Sequence, residues 1–246
     1  MVQTPLAPQI LYPDSDGKPL ADNTEQYEWI VRLATNLKHL LKDEIAFVAG
    51  DLQWYPVEVE ERPTPCQAPD VMVVLGRFPG YRGRYQQWKE ENIPPQVVFE
   101  VLSPSNTRQE MSQKQKFYED HGVLEAYYYD PKRRDFWGYV RSTLDEVPTL
   151  ITALYLPWVS PLLQIRFELS EDGLQIFYPN GEPFQEPEMG LLERDRARLA
   201  QQQALQERDQ ALVREEQVQA ERDQAQQERD RAFAKLKELG IDPDTL

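Results

Sequence analysis

Val97-Val98-Phe99-Glu100-Val101-Leu102-Ser103-Pro104 is an apolar run with a carboxylate in its middle. A second run, Pro69-Asp70-Val71-Met72-Val73-Val74-Leu75, carries another at its start. Near-continuous Val, Phe and Leu over so short a stretch reads as a strand buried on both faces. Asp and Glu are almost never fully buried unless they are paired or bind a cation. Side chains alternate along a strand, so Glu100 shares a face with Val98 and Leu102, and Asp70 shares one with Met72 and Val74. On neighbouring strands the two carboxylates would converge on one point. Oxygen donors of this kind suit Mg²⁺ or Mn²⁺, and the backbone carbonyl of Val101 offers a third ligand.

The next segment adds cations. Thr107-Arg108-Gln109-Glu110 fits a capping box, which starts a helix that His121-Gly122 ends. Glu110, Lys114 and Tyr118 recur at four-residue spacing and share one face, while Lys116 leans roughly the opposite way. A cation beside a metal site orients the attacking hydroxide and steadies charge on a phosphoryl group. Lys116 reads as solvated or phosphate-steering.

Upstream, Asp22-Asn23-Thr24 offers an N-cap, and Trp29, Leu33, Leu37, Leu40 and Leu41 predict an amphipathic helix over 24–42. Ile45 to Val59 is a strand region that reads as a hairpin through Gly50-Asp51. Residues 76–95 have no period and read as a long loop, in which Arg77, Arg82, Arg84 and Lys89 alternate with Tyr81, Tyr85 and Trp88. Such a mixture grips a nucleic-acid strand by phosphate contact and stacking; a loop packing its own aromatics explains it nearly as well. Strands are expected at 126–129 and 136–140, and a further pair at 162–169 and 174–178.

The chain has 246 residues and a net charge of −15. Taken whole, it should repel nucleic acid and anionic lipid, which leaves room only for a local basic cleft. No run is long enough to span a membrane and no secretory leader is visible, so a cytoplasmic protein with no membrane partner is expected. One cysteine, Cys66, and two histidines rule out an intrachain disulfide framework or a thiolate or histidine zinc site. Three segments follow: a Pro-rich arm over 1–21, a domain over 22–187, and a charged tail over 188–246. In the tail, Glu-Arg-Asp-x-Ala begins at Glu193, Glu207, Glu221 and Glu228, a heptad register. Ala fills most of the seam, so the 190–239 helix is either a solvated single helix or a weak coiled coil that assembles copies of the chain.

The order of motifs resembles the Uma-two family of restriction endonuclease-like proteins, a branch of the PD-(D/E)XK nuclease superfamily. The segments that carry the likeness are Pro-Asp before an apolar strand, Val-Val-Phe-Glu-Val-Leu-Ser-Pro-Ser, Glu-x-x-x-Lys-x-x-x-Tyr, and Gly-Val-x-Glu with an aromatic strand ending Asp-Pro. The resemblance spans roughly residues 22–180. It implies an α/β (α+β) fold, a restriction-endonuclease-like central mixed sheet flanked by helices, with a long C-terminal helix appended. It implies Asp70 and Glu100 as metal ligands. The wider superfamily places a Lys two residues after the Glu, where this chain has Leu102; in the Uma-two pattern a Lys on the following helix substitutes, and Lys114 matches it. The family usually has Asp where this chain has Glu110. The fold often adds an acid on the first helix, for which Glu25 and Glu28 are the candidates.

Three functions are therefore expected to compete. The first is a Mg²⁺-dependent endonuclease acting on DNA, with catalytic Asp70, Glu100 and Lys114 and substrate contacts from Arg82, Arg84 and Lys89. The second is a nuclease-fold binding protein without activity that recruits a partner. The third is a structural protein organised by its tail.

Overall fold

The computed structural model describes residues 11–187 other than 18 and 62, together with helical residues 203, 208, 222, 225–231, 234 and 235. Contacts divide the chain into two units, Met1–Pro187 and Glu188–Leu246. The heptad seam of the tail lies almost entirely outside the described residues. No described helix is long and apolar enough to cross a membrane.

In the first unit helix α1 (Thr24–Leu40) begins at Asn23, whose side chain accepts from the Gln26 amide. Strands β1 (Ala46–Gly50), β2 (Trp54–Tyr55), β3 (Val71–Leu75), β4 (Tyr85–Gln86) and β5 (Val97–Val101) follow. Helix α2 (Arg108–Asp120) starts on the expected capping box, with Thr107 and Glu110 each bonding the other's backbone amide. Then come β6 (Glu125–Asp130), β7 (Asp135–Val140), β8 (Thr149–Thr152), β9 (Trp158–Val159), β10 (Arg166–Ser170) and β11 (Gly173–Phe177).

The main sheet has the order β1-β3-β5-β6-β7-β8. All its neighbours are antiparallel except β5 and β6, and α2 supplies the crossover that a parallel pair requires. A three-stranded sheet, β11-β10-β9, and a two-stranded one, β2-β4, complete the unit. Both faces of the main sheet are covered. On one, Ile30, Leu33 and Leu37 of α1 pack with Val71, Val73, Phe99 and Tyr127 and with Phe167 and Ile176 of the small sheet. On the other, Met111 and Tyr118 of α2 pack with Phe47, Trp54, Met72, Val74 and Val98.

The hairpin expected over 45–59 does not form. β1 pairs with β3, and β2 pairs in parallel with β4 in a separate sheet. Asp51 adopts a left-handed φ of 47° and donates its amide to the backbone oxygens of Pro69 and Asp70, which turns the chain away from β1. The start of the 162–169 strand is a turn, and pairing begins at Arg166. The described part of the N-terminal arm is pinned: the Tyr12 hydroxyl donates to the Val59 carbonyl at 2.8 Å, and its ring packs on Tyr55 and Trp88.

Candidate functional site

β3 and β5 are neighbours, with Val71 opposite Phe99. One step outward the same register sets Asp70 opposite Glu100, on the face that α2 covers. β1 lies on the far side of β3, and Gly50 opposite Val71 sets Asp51 beside Asp70. Three carboxylates from three adjacent strands thus occupy one end of one face. Asp51 is the member that sequence reasoning missed; Phe47, Ala49 and Asp51 alternate onto that face, which was the available signal.

Glu100 is only 3% exposed and Asp70 8%. Glu100 Oε2 accepts from Lys114 Nζ at 2.8 Å, and its Oε1 accepts from the Tyr118 hydroxyl. Asp70 Oδ2 accepts the Val101 amide at 2.6 Å. Burial, reinforced by the Glu100 charge, pushes the Asp70 carboxyl up to about 8. Burial and the nearby Asp16 charge push Asp51 up to about 6. Burial works against the Lys114 ammonium, but the charges of Glu100 and Asp70 outweigh it and its pKa is raised. The cluster holds more negative charge than one lysine balances.

Above it opens a cleft of about 400 Å³. Asp16 and Asp22, Gln26, Asp51, Asp70 and, from α2, Glu110 and Lys114 line it. Its walls are acidic, not the basic cleft expected for DNA, so a polyanion can approach only with a cation in place. Among the described residues no three His, Cys, Asp or Glu side chains cluster tightly enough to hold a metal by themselves. The donors nevertheless fit Mg²⁺, which takes one or two carboxylates and keeps several waters. A carboxylate has about four lone-pair positions, so Glu100 can keep Lys114 and Tyr118 and still coordinate. The Val101 carbonyl already accepts from Gln26 Nε2 at 2.9 Å, with a second lone pair remaining.

The other expected residues fall as follows. Glu25 and Glu28 are exposed on α1, and the residue that α1 turns into the site is Gln26. Its spacing to Ile30, Leu33 and Leu37 marks the buried stripe, but an uncharged amide raised no flag. Glu110 completes the helix cap and lines the cleft. Lys116 is exposed and pairs with Asp120 at 3.0 Å. In the long loop, Arg82 lies 2.7 Å from Glu90 and over the Phe47 ring, and Arg84 pairs with Asp14 at 2.5 Å. Lys89 is exposed at the end of a short 3₁₀ turn. None of the three lines the carboxylate cleft.

Comparison with known proteins adds a family. A solved structure described as a "putative nuclease belonging to DUF820" from Anabaena variabilis ATCC 29413 is similar at 14% identity and a TM-score of 0.44, covering 60% of this chain and 77% of that one. No curated protein matches. The family model Uma2, "Putative restriction endonuclease", matches residues 15–170, well over half of the chain, and the chain belongs to that family.

Proposed function

We propose that this protein is a Mg²⁺- or Mn²⁺-dependent endonuclease that hydrolyses phosphodiester bonds in DNA. The observation that carries this reading is the meeting of Asp70 and Glu100 from neighbouring strands beside a cleft, with Lys114 bonded to Glu100. Membership of a restriction-endonuclease family supports the same choice. A bound divalent cation would offset the charge of the phosphodiester and lower the pKa of a coordinated water. Asp70 and Glu100 would hold that cation. Lys114 donates to the attacking water and to a phosphoryl oxygen, where charge grows in the transition state. Tyr118 fixes the Glu100 carboxylate from below, and Gln26 ties the strand end that carries it to α1. The single cysteine of the chain, Cys66, suits a reducing cytoplasm, and the 190–239 segment assembles copies of the chain.

Replacing Glu100 with Gln is expected to abolish divalent-ion binding and cleavage together. Titration calorimetry with Mg²⁺ and a nuclease assay on duplex, single-stranded and branched DNA read the two outcomes. Undiminished Mg²⁺ affinity in the variant would refute the ligand assignment.

A second reading rests on the same carboxylate. Both Glu100 oxygens are already engaged, and among the described residues no third acid closes the ligand set. A nuclease fold that binds and recruits without cutting would look like this. Intact Mg²⁺ binding with no cleavage across the whole substrate panel, with either ion, selects it.

A further inference from the structure

A row of cross-strand partners runs across the α2 side of the main sheet. Glu100 faces Tyr128, and Tyr128 faces Trp137. With Asp51 and Asp70 the row reads Asp, Asp, Glu, Tyr, Trp from β1 to β7, changing from carboxylate to aromatic between β5 and β6. Strands are about 4.8 Å apart, so Trp137 stands about 10 Å from Glu100, the reach of one nucleotide. A pocket of about 420 Å³ opens over the aromatic half, and Asn106 lines both this pocket and the carboxylate cleft.

We propose that the pocket walled by Tyr128, Trp137 and Tyr139 receives one unpaired nucleobase of the DNA strand whose phosphodiester lies in the carboxylate cleft. The inference rests on the nuclease reading and narrows its substrate to DNA with unpaired bases: single strands, flaps or frayed ends. Tyr128 and Trp137 are parallel within 2° at 5.3 Å, and Trp137 is only half-buried, which leaves ring surface at the pocket for a base to stack on. The Tyr128 hydroxyl is buried with no hydrogen-bond partner among the described residues, an orphan that a ligand's polar edge would satisfy. Asp135 also lines the pocket and is exposed, so it accepts from an exocyclic amino group and repels a phosphate, which makes the ring the guest; Asp130 beside it is held by the Arg133 amide at 2.9 Å and lies 3.7 Å from the Arg133 guanidinium. Arg108 and Arg133 are exposed at the same pocket and face the flanking phosphates. A base stacked inside a duplex cannot enter without being extruded, which costs free energy that an unpaired base does not require.

The test uses the full chain with Ca²⁺ in place of Mg²⁺ and a fluorescein-labelled 20-nucleotide strand, alone or annealed, read by anisotropy. The wild type is expected to bind the single strand at least tenfold more tightly than the duplex. Trp137→Ala is expected to weaken single-strand binding about tenfold, Tyr139→Ala by less, and Trp137→Phe to restore most of it. Thermal melting of each variant separates loss of contact from loss of fold. Equal single-strand affinity in the wild type and in folded Trp137→Ala and Tyr139→Ala would overturn the pocket. If that result came with a Glu100→Gln variant lacking Mg²⁺ binding and cleavage, the nuclease reading would stand alone. If the wild type cut no member of the substrate panel with Mg²⁺ or Mn²⁺ while Trp137→Ala lost single-strand binding, the nuclease reading would fall and base capture would remain.

Discussion

Glu100 and Glu125 lie on adjacent parallel strands, are 3% and 0% exposed, and face opposite sides of one sheet. Glu125 lies under β9 and its following turn. Its Oε2 accepts from the Ser160 hydroxyl at 2.5 Å and the Tyr127 hydroxyl at 2.9 Å, and its Oε1 from the Leu162 amide at 2.7 Å. Burial raises its pKa, and the Ser160 and Leu162 donors work the other way. Every partner is neutral. Glu100 has a lysine, a second carboxylate on the next strand and an open cleft nearby. Burial of a carboxylate therefore does not distinguish a fastening from a working group. Excess charge beside accessible space does.

That contrast predicts opposite phenotypes. Glu125→Ala strands three donors at once, each costing roughly 1–3 kcal/mol when left unpaired. We expect a loss of about 3 kcal/mol or more and a melting temperature lower by on the order of 10 °C, with Mg²⁺ affinity per folded molecule unchanged. Glu100→Gln should lower the melting temperature by less, because the Gln side-chain oxygen still accepts from Tyr118 or Lys114 and at most one donor is stranded. Calorimetric unfolding of both variants decides; equal destabilisation would erase the distinction between the two glutamates.

Lys114 sharpens the contrast from the other side. Lys114→Met should lower cleavage about a hundredfold, the usual cost of one donor aimed at developing charge. Mg²⁺ affinity should hold or rise, since a competing cation is gone. Single-turnover cleavage at saturating Mg²⁺ measures the first effect and calorimetry the second. A parallel fall in Mg²⁺ affinity would reduce Lys114 to a support for Glu100.

Asp70 carries the contrast into pH. Its pKa in the folded apoprotein is about 8, against an ordinary 3.8, because burial and the Glu100 charge disfavour the anion. The apoprotein is thus favoured by the protonated form, fully so below pH 4, and loses that stability as pH climbs toward 8. Asn does not titrate. In chelator, Asp70→Asn should melt several degrees above the wild type at pH 8 and level with it below pH 4. A pH-independent difference would place the strain elsewhere.

The two carboxylate strands, the capped helix and the Lys114 face were legible because each rests on a local pattern: an unbroken apolar run, a Thr-x-x-Glu box, a four-residue spacing. What was lost depends on chain reversals that no local pattern encodes. Gly50-Asp51 has the composition of a hairpin turn, and only the amide of Asp51 reaching Pro69 and Asp70 sends β1 to β3 instead. β8 and β9 are short and lie beside Pro148 and Pro157, so they offered no periodic run to read. The loop arginines looked available for substrate because Glu90 and Asp14 are remote or unremarkable in sequence, yet they neutralise Arg82 and Arg84 in space. Gln26 shows the converse: a polar residue in an apolar stripe matters even when uncharged.

Asp51 is the finest test, since its role is inferred from position alone. Its φ of 47° lies in the left-handed region, where Asp and Asn are the best tolerated side chains after Gly. Asp51→Asn keeps that backbone and removes only the charge. Its pKa of about 6 means the side chain is mostly ionised at pH 7.5 and mostly protonated at pH 5. If Asp51 helps to attract the cation through the field of the cleft, Asn should weaken Mg²⁺ binding a few-fold at pH 7.5 and scarcely at pH 5, with the melting temperature kept within about two degrees. If the loss matched that of Glu100→Gln, Asp51 would be a ligand in its own right and the site would be a three-carboxylate one. No loss at either pH would confine the working charge to β3 and β5, and Asp51 would then be a turn residue that happens to face the cleft.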